Sequence, residues 1–326
     1  MSMMPLVSVI TPVHNGAHFI AQCIESVLAQ SYENWEYIIV ENFSDDETLS
    51  IVKQYSENEP RIKVSVTAEL LPIMKNWNYA LSKISDQSKY CKVIHADDRL
   101  YPNCIEEMVR IAEKYPSIGL VGSYALWGNQ VKGDRVQVGV PFFSGKEIAK
   151  LTLRGQIYPF LSPSVLLIRS NLLRKTEAFY DESILYADVD SCYKILENYD
   201  FGFINQVLSY IGRHEDSVTS KECTPLNTII WQNFDLFLRH GKTFLTEEEY
   251  NLEFVKRKIE YCQFLGARLF TRNRADFWAY HRAGLKKIGI SVNYIHLLCY
   301  WFASKMRDAS SKLERLTEKI CRCRNN

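Results

Sequence analysis

Along the first part of the chain the apolar positions switch between short continuous runs and helical spacing. Residues 6–11 are apolar and β-branched and read as a buried strand. After a loop at 12–16, Phe19, Ile20, Cys23, Ile24, Val27 and Leu28 recur at the spacing of one helix face, which predicts a helix over 18–30. The same alternation continues: a strand at 35–40, a helix at 45–55 with Ser44 placed to cap it, a strand at 62–66 and a helix at 73–84. A strand at 90–94 follows, then a helix at 102–114 with Pro102 in its first turn, and a strand at 118–126.

Strand and helix at this spacing predict an α/β fold, a Rossmann-like and mostly parallel sheet flanked by helices. Ligands of such sheets gather at the carboxyl ends of the strands. Three loops begin where a predicted strand stops: 11–16, 41–46 and 95–98. From 128 to 208 the pattern is less regular, with strands expected at 164–168 and 201–208 and a helix at 188–198. Beyond about Ser220 only helical spacing remains, over 226–239, 247–270 and 276–287. The expected division is a ligand-binding domain at 1–220 and a helical C-terminal domain at 221–326.

Composition changes this picture little. With 47% hydrophobic and 24% charged residues, a folded chain rather than a disordered one is expected. The net charge of +1 conceals an asymmetry. From Lys256 onward 16 Lys+Arg face 5 Asp+Glu, leaving 23 against 33 in the rest. A basic tail suits an anionic membrane surface or another polyanion; no nucleic-acid motif is present, and no nucleic-acid partner is expected. Nine cysteines without metal-ligand spacing, Cys321 and Cys323 forming only a C-x-C pair, fit a reduced, cytoplasmic setting. No apolar run reaches the length of a membrane span. The stretch 288–304 lacks Lys, Arg, Asp and Glu; it reads either as an interfacial helix at the inner face of the plasma membrane or as a buried helix of the C-terminal domain.

The strongest chemical signal is Asp97-Asp98, two adjacent carboxylates directly after a strand. Like charges repel, so a divalent cation is a natural partner, and such ions take carboxylates together with substrate phosphates. A solvated acidic turn is the alternative. In the second loop Glu41 and Asn42 read as ligand contacts, with Ser44, Asp45 and Asp46 favoured by the following helix start. Asp188, in Tyr186-Ala-Asp-Val-Asp190, is either a helix N-terminal acid or a general base beside an acceptor hydroxyl. His214 is a solvated loop histidine or a metal or phosphate ligand.

The runs Val7-Ser-Val-Ile-Thr-Pro-Val-His-Asn-Gly16, Ile24-Glu-Ser-Val-Leu-Ala-Gln-Ser-Tyr32, Tyr37-Ile-Ile-Val-Glu-Asn42, Lys75-Asn-Trp-Asn78, His95-Ala-Asp-Asp98, Tyr186 to Asp190 and Arg213 to Thr219 resemble, in order, the motifs of family 2 glycosyltransferases. The resemblance covers roughly residues 5–220. It implies a GT-A fold, a hexosyltransferase activity with inverting chemistry, and a nucleotide-diphosphate sugar donor, UDP-sugar foremost. It also implies a saccharide or lipid-linked acceptor in surface polysaccharide synthesis. Thr11, Pro12, Asn15, Glu41 and Asn78 would then line the nucleotide pocket, and Asp97 would approach ribose or sugar. Asp98, with His214, would hold Mn2+ or Mg2+, and Asp188 would be the general base.

The departures are informative. The family's D-D-G-S reads Glu41-Asn42-Phe43-Ser44, which bears on base selectivity, and Ala187 stands where Glu is frequent. No Q-x-x-R-W occurs, so a single addition per acceptor is expected. One glycine in the first loop, Gly16, excludes the dinucleotide fingerprint, and no phosphate-binding G-x-x-x-x-G-K-[ST] loop exists. The non-enzymatic alternative is a nucleotide-sugar-binding scaffold that kept the fold; retention of Asp97, Asp98 and Asp188 argues against it.

Overall fold

The computed structural model describes residues 4–133, 135–176, 178–215, 217, 219–271, 275–289, 294–303 and 305–306. The chain divides into two compact units, Met1–His214 and Glu215–Asn326.

The first unit follows the predicted alternation. Its elements begin β1 (Val7–Val13), α1 (Ile20–Leu28), β2 (Trp35–Glu41), α2 (Thr48–Asn58), β3 (Ile62–Val66), α3 (Ile73–Leu81) and β4 (Tyr90–Val93). They continue with β5 (Arg99–Leu100), α4 (Cys104–Lys114), β6 (Ile118–Trp127), β7 (Gln130–Lys132), β8 (Phe142–Phe143), α5 (Gly145–Leu153) and β9 (Leu166–Arg169). The last are α6 (Ser170–Leu173), α7 (Ala187–Leu196) and β10 (Asp200–Ile211). Every residue of β1 and β2 is buried, as strands covered on both faces require. On α4 the buried set Cys104, Ile105, Met108, Val109, Ile111 and Ala112 forms one stripe, with Glu106 and Glu107 in the first turn and Lys114 in the last.

The sheet order is β3-β2-β1-β4-β9-β6-β10-β5. The first four strands are parallel, as are β6 and β10. Strand β9 enters antiparallel between β4 and β6. The carboxyl ends of β1, β2, β4, β6 and β10 therefore share one edge, and short β5 turns back there to pair with β10 through Ser209 and Tyr210.

Two local expectations change. Helix α2 starts at Thr48, and Ser44 does not cap it; Asp46 accepts the Thr48 N–H at 2.9 Å instead. Ser44 is drawn away by tertiary contacts, its hydroxyl accepting the Asn15 N–H at 2.9 Å. Helix α5 was not anticipated, although Ser144 caps it by accepting the Glu147 N–H at 3.2 Å, and Ser-x-x-Glu marks such starts.

In the second unit, α8 (Thr224–Leu226), α9 (Thr228–Phe244), α10 (Glu247–Arg268) and α11 (Ala275–Lys287) surround an aromatic core of Trp231, Phe234, Phe237, Tyr261 and Phe277. A capping box of Thr246 and Glu249 opens α10. Gly284 lets α11 approach Trp231, since a Cβ there would lie 2.6 Å from the indole. Residues 294–303 are helical, with Leu297 buried and Ile295 and Phe302 exposed; residues 290–293 and 304 of the stretch 288–304 lie outside the described residues, as do Cys321 and Cys323. Among the described residues no helix is long and apolar enough to cross a membrane.

His281 is fully buried. Its Nε2 meets the Leu226 carbonyl at 2.9 Å and its Nδ1 meets the Tyr261 hydroxyl at 2.7 Å, a neutral tautomer held at both ends. Burial lowers its pKa from 6.5 to about 4. A depressed folded pKa means stability that is whole above pH 6.5 and is lost as pH falls toward 4. This histidine thus removes about 3 kcal/mol from the second unit across that window. Urea unfolding followed by tryptophan fluorescence should show that acid loss in the wild type and a flatter profile in His281→Phe; equal slopes would refute the assignment.

Candidate active site

The three loops flagged at strand ends meet along the carboxyl edge. Loops 12–17 and 41–48 are laced together: the Asn15 N–H donates to Ser44 Oγ, and the Asp45 N–H to Asn15 Oδ1 at 3.0 Å. The Gly16 N–H donates to Thr48 Oγ1 at 2.8 Å, and the Ala17 N–H to Asp46 Oδ2 at 3.0 Å. Both loop tips hold a non-glycine residue with left-handed backbone, Asn15 at φ 51° and Phe43 at φ 56°. Asn tolerates this region; Phe does so at a steric cost. Phe43 is nonetheless 57% exposed, an aromatic ring displayed on strained backbone.

At the end of β4 lies the acidic corner. Asp98 is 1% exposed. Its Oδ1 accepts the Gly212 N–H at 2.8 Å, while the buried Oδ2 has no hydrogen-bond partner and stands 3.7 Å from His95 Nδ1. Burial raises the Asp98 pKa and neighbouring Asp97 adds to the effect, while His95, the Ser164 hydroxyl and the Gly212 N–H oppose it. Asp97 is partly exposed, and its Oδ2 pairs with His214 Nε2 at 2.9 Å. One ligand atom each from His95, Asp97 and Asp98 lie within 4.8 Å of one another. Two carboxylates, one with a buried oxygen left over, and an imidazole fit a divalent cation that also takes oxygens from a substrate.

The corner is held from below and from above. Ser164 Oγ accepts the His95 N–H at 3.0 Å, and its carbonyl accepts from Ser209 Oγ at 2.9 Å and from the fully buried Lys92 Nζ at 2.5 Å. Above, residues 212–214 form a strap: Gly212 on Asp98, His214 on Asp97, and the His214 ring 4.4 Å from Phe19. A Cβ on Gly212 would lie 2.3 Å from the Asp97 carbonyl, so only glycine permits this approach.

Asp188 opens α7, partly exposed yet tightly surrounded. Burial raises its pKa, opposed by the N–H groups of Val189 and Asp188 and by the nearby charge of His95. His95 thus lies electrostatically between Asp98 and Asp188, with Trp77 packed 4.7 Å from its ring.

Not every residue named from sequence faces this space. Thr11 is fully buried, and its hydroxyl is committed to the Ile94 carbonyl at 2.9 Å and to Tyr37 at 2.8 Å, so its side chain braces β1 rather than lining a pocket. Asn78 is a clamp: its amide donates to the Tyr180 carbonyl at 2.9 Å and accepts the Tyr180 N–H at 2.8 Å, fixing the segment that leads to Asp188. Asn42 clamps Leu71 in the same way, at 2.9 Å in both directions. Pro12 is buried within β1, beyond the last β1–β4 pair. Glu41 is 1% exposed and accepts the Ser44 N–H at 2.6 Å, shaping the loop. Asn15 remains exposed. Sequence reading missed His95, although it opens the same four-residue motif as the aspartates, and Phe43, whose place in a usual glycine position was the available signal.

A parallel-rich α/β sheet with an acidic corner at its carboxyl edge is the architecture of the GT-A fold, as solved structures show. Similar folds occur in Staphylococcus aureus TarS 1-349 in complex with UDP-GlcNAc, with TM-score 0.66 and 18% identity over 86% of this chain and 80% of that one. They occur also in the mannosyltransferase PcManGT from Pyrobaculum calidifontis in complex with GDP-Man and Mn2+, with TM-score 0.59 and 16% identity over 95% and 89%. The putative glycosyltransferase EpsE of Bacillus subtilis (strain 168) is 34% identical over 140 residues, 42% of this chain and 50% of that protein. The chain thus matches only half the length of that relative. Residues 8–176, more than half of the chain, match glycosyl transferase family 2, and the chain belongs to that family. It is a glycosyltransferase.

Gly212→Ala should force the strap off the corner. Overpacking of this kind costs about 1–3 kcal/mol, which predicts Mn2+-dependent nucleotide binding weaker by about ten- to a hundredfold in calorimetric titration. Wild-type affinity in the variant would mean that the strap does not set the corner.

Proposed function

We propose that this chain is an inverting, metal-dependent transferase that moves one sugar from a UDP-sugar to a saccharide or lipid-linked acceptor, in the synthesis of a surface polysaccharide. The observation that carries the metal-dependent reading is the acidic corner: a buried Asp98 oxygen without a hydrogen-bond partner, within 4.8 Å of ligand atoms on Asp97 and His95. Those three residues would hold the cation, with His214 positioned beside them through Asp97. An imidazole among the carboxylates favours Mn2+ over the harder Mg2+. When bound, the cation supplies positive charge against the diphosphate of the departing nucleotide.

Asp188 takes the acceptor proton as the hydroxyl attacks the anomeric carbon from the face opposite the nucleotide. Its raised pKa suits that task, since a base poised nearer neutrality accepts a proton more readily than an ordinary carboxylate. Asn78 and Trp77 position rather than react, one clamping Tyr180 and the other packing on His95. UDP is favoured as the nucleotide because TarS, similar in fold, was crystallised with UDP-GlcNAc. The laced loops 12–17 and 41–48 would receive it, with Phe43 against the base and Asn15 beside it. In the second unit, Tyr294, Ile295 and Phe302 are exposed, which supports peripheral contact with an anionic membrane at its cytoplasmic face.

Two measurements test this reading. In a screen of nucleotide sugars with Mn2+ or Mg2+, Asp188→Asn should lose transfer by about a thousandfold or more while donor binding holds, because a positioned base contributes about 10²–10⁴-fold. Asp98→Ala should lose Mn2+ binding itself, read by calorimetry without any turnover. Wild-type transfer in Asp188→Asn, or wild-type Mn2+ affinity in Asp98→Ala, would overturn the corresponding role.

Phe43→Gly should move stability and binding in opposite directions. Relief of the left-handed backbone stabilises the fold by about 1 kcal/mol. Loss of base stacking weakens UDP affinity by about 1–3 kcal/mol. Unchanged UDP affinity would remove Phe43 from the nucleotide site.

A further inference from the structure

We propose that Trp127, Arg213 and Lys132 form an acceptor subsite for a sugar carrying a negative charge, a carboxylate or a phosphate. This rests on the glycosyl transfer proposed above and adds the class of acceptor.

The indole of Trp127 ends β6 and is 38% exposed. Two cations approach the same ring, the Arg213 guanidinium at 5.8 Å and the Lys132 ammonium at 5.5 Å. Hairpin register places Lys132 opposite Ala125 and Gln130 opposite Trp127, so Lys132 and Trp127 share a face. The only hydrogen bond of Lys132 among the described residues is to Gln130 Oε1 at 3.0 Å, and neither Lys132 nor Arg213 joins an ion pair there. Two like charges at one aromatic ring, with no ion pair to either among the described residues, leave a positive field that an anion would neutralise. The flat apolar face of an indole takes the C–H face of a sugar ring, and arginine grips a carboxylate or phosphate with two parallel donors.

Its place in the sheet points to the acceptor rather than the donor. Trp127 pairs with Ile211 of β10, whose next residue, Gly212, grips Asp98. Strand β10 lies between β6 and β5, and β5 continues directly from Asp98. Trp127 is therefore two strand spacings from the acidic corner, on the order of 10 Å, or one to two sugar rings. Loops 12–17 and 41–48, which would receive the nucleotide, follow β1 and β2 on the other side of β4. Arg213 itself belongs to the strap, between the residues that hold Asp98 and Asp97. An acceptor on Trp127 thus extends away from the donor, with its charge at Arg213 and Lys132.

The test titrates full-length protein, saturated with UDP and Mn2+, with three probes: neutral maltotriose, trigalacturonic acid and maltotriose phosphate. At least one anionic probe should bind about tenfold or more tightly than maltotriose, and the one that does tells carboxylate from phosphate. Lys132→Gln should lose that preference, Trp127→Ala should lose binding of every probe, and the affinity for UDP with Mn2+ should stay unchanged in both. Equal binding of all probes, no binding of any, or variants that bind like wild type would overturn the subsite. A fall in UDP affinity matching the fall in probe affinity would assign the cluster to the donor and overturn it too. If wild type fails to bind UDP with Mn2+, the transfer reading fails instead, and the probe arms still decide the charged surface.

Discussion

One hydrogen bond organises the working edge of this protein: the Gly212 N–H to the buried carboxylate of Asp98, at 2.8 Å. A carboxylate removed from water is unfavourable unless its oxygens are satisfied. This backbone donor satisfies one oxygen and leaves the other directed at His95. The demand propagates. Residue 212 must be glycine for the end of β10 to come so near, the strap 212–214 then lies across the corner, and His214 reaches Asp97. Beneath, the Ser164 carbonyl shared by Lys92 and Ser209 fixes the segment that holds the His95 backbone. The result is an acidic corner whose shape is set by the fold, as the proposed stabilisation of a leaving group would require.

The same edge separates rigidity from strain. Amide clamps at Asn42 and Asn78 use one side chain to satisfy both backbone groups of a distant residue, Leu71 and Tyr180, and so pin segments that have no regular structure. The two loop tips go the other way. Asn15 and Phe43 both sit in left-handed backbone, held there by hydrogen bonds that lace one loop to the other. Strain of this kind persists only where surroundings enforce it, and it clusters at sites that meet ligands. The proposed donor and acceptor sides thus differ in character. Laced, strained loops stand on one flank of the acidic corner and an open, positively charged aromatic shelf on the other.

The second unit is built on different physics. Its core is aromatic, and glycines rather than a strand ladder set its close helix approaches, Gly266 at the Leu297 carbonyl and Gly284 at Trp231. It holds a histidine neutral by burying it between two fixed partners. This unit loses stability in acid through a buried imidazole, whereas the sheet unit does so through hydrogen-bonded carboxylates such as Glu36, whose pKa is lowered.

The sequence alone determined the alternation of strands and helices, the strand-end position of three loops, and the place of a carboxylate pair directly after a strand. These are local properties: a buried strand is a continuous apolar run, a helix face repeats every three to four residues, and two aspartates after a strand are neighbours in the chain. Tertiary structure decided what depends on distance along the chain. Asp98 and Gly212 are 114 positions apart, and Asn78 and Tyr180 are 102 apart. No periodicity encodes such a pair. That Thr11 faces the core, that Ser44 serves Asn15 instead of a helix, that β9 runs antiparallel and that His95 joins the acidic corner all follow from contacts made only once the sheet has closed. A hydrogen-bonding side chain carries its chemistry in its letter, but its partner is chosen by the fold.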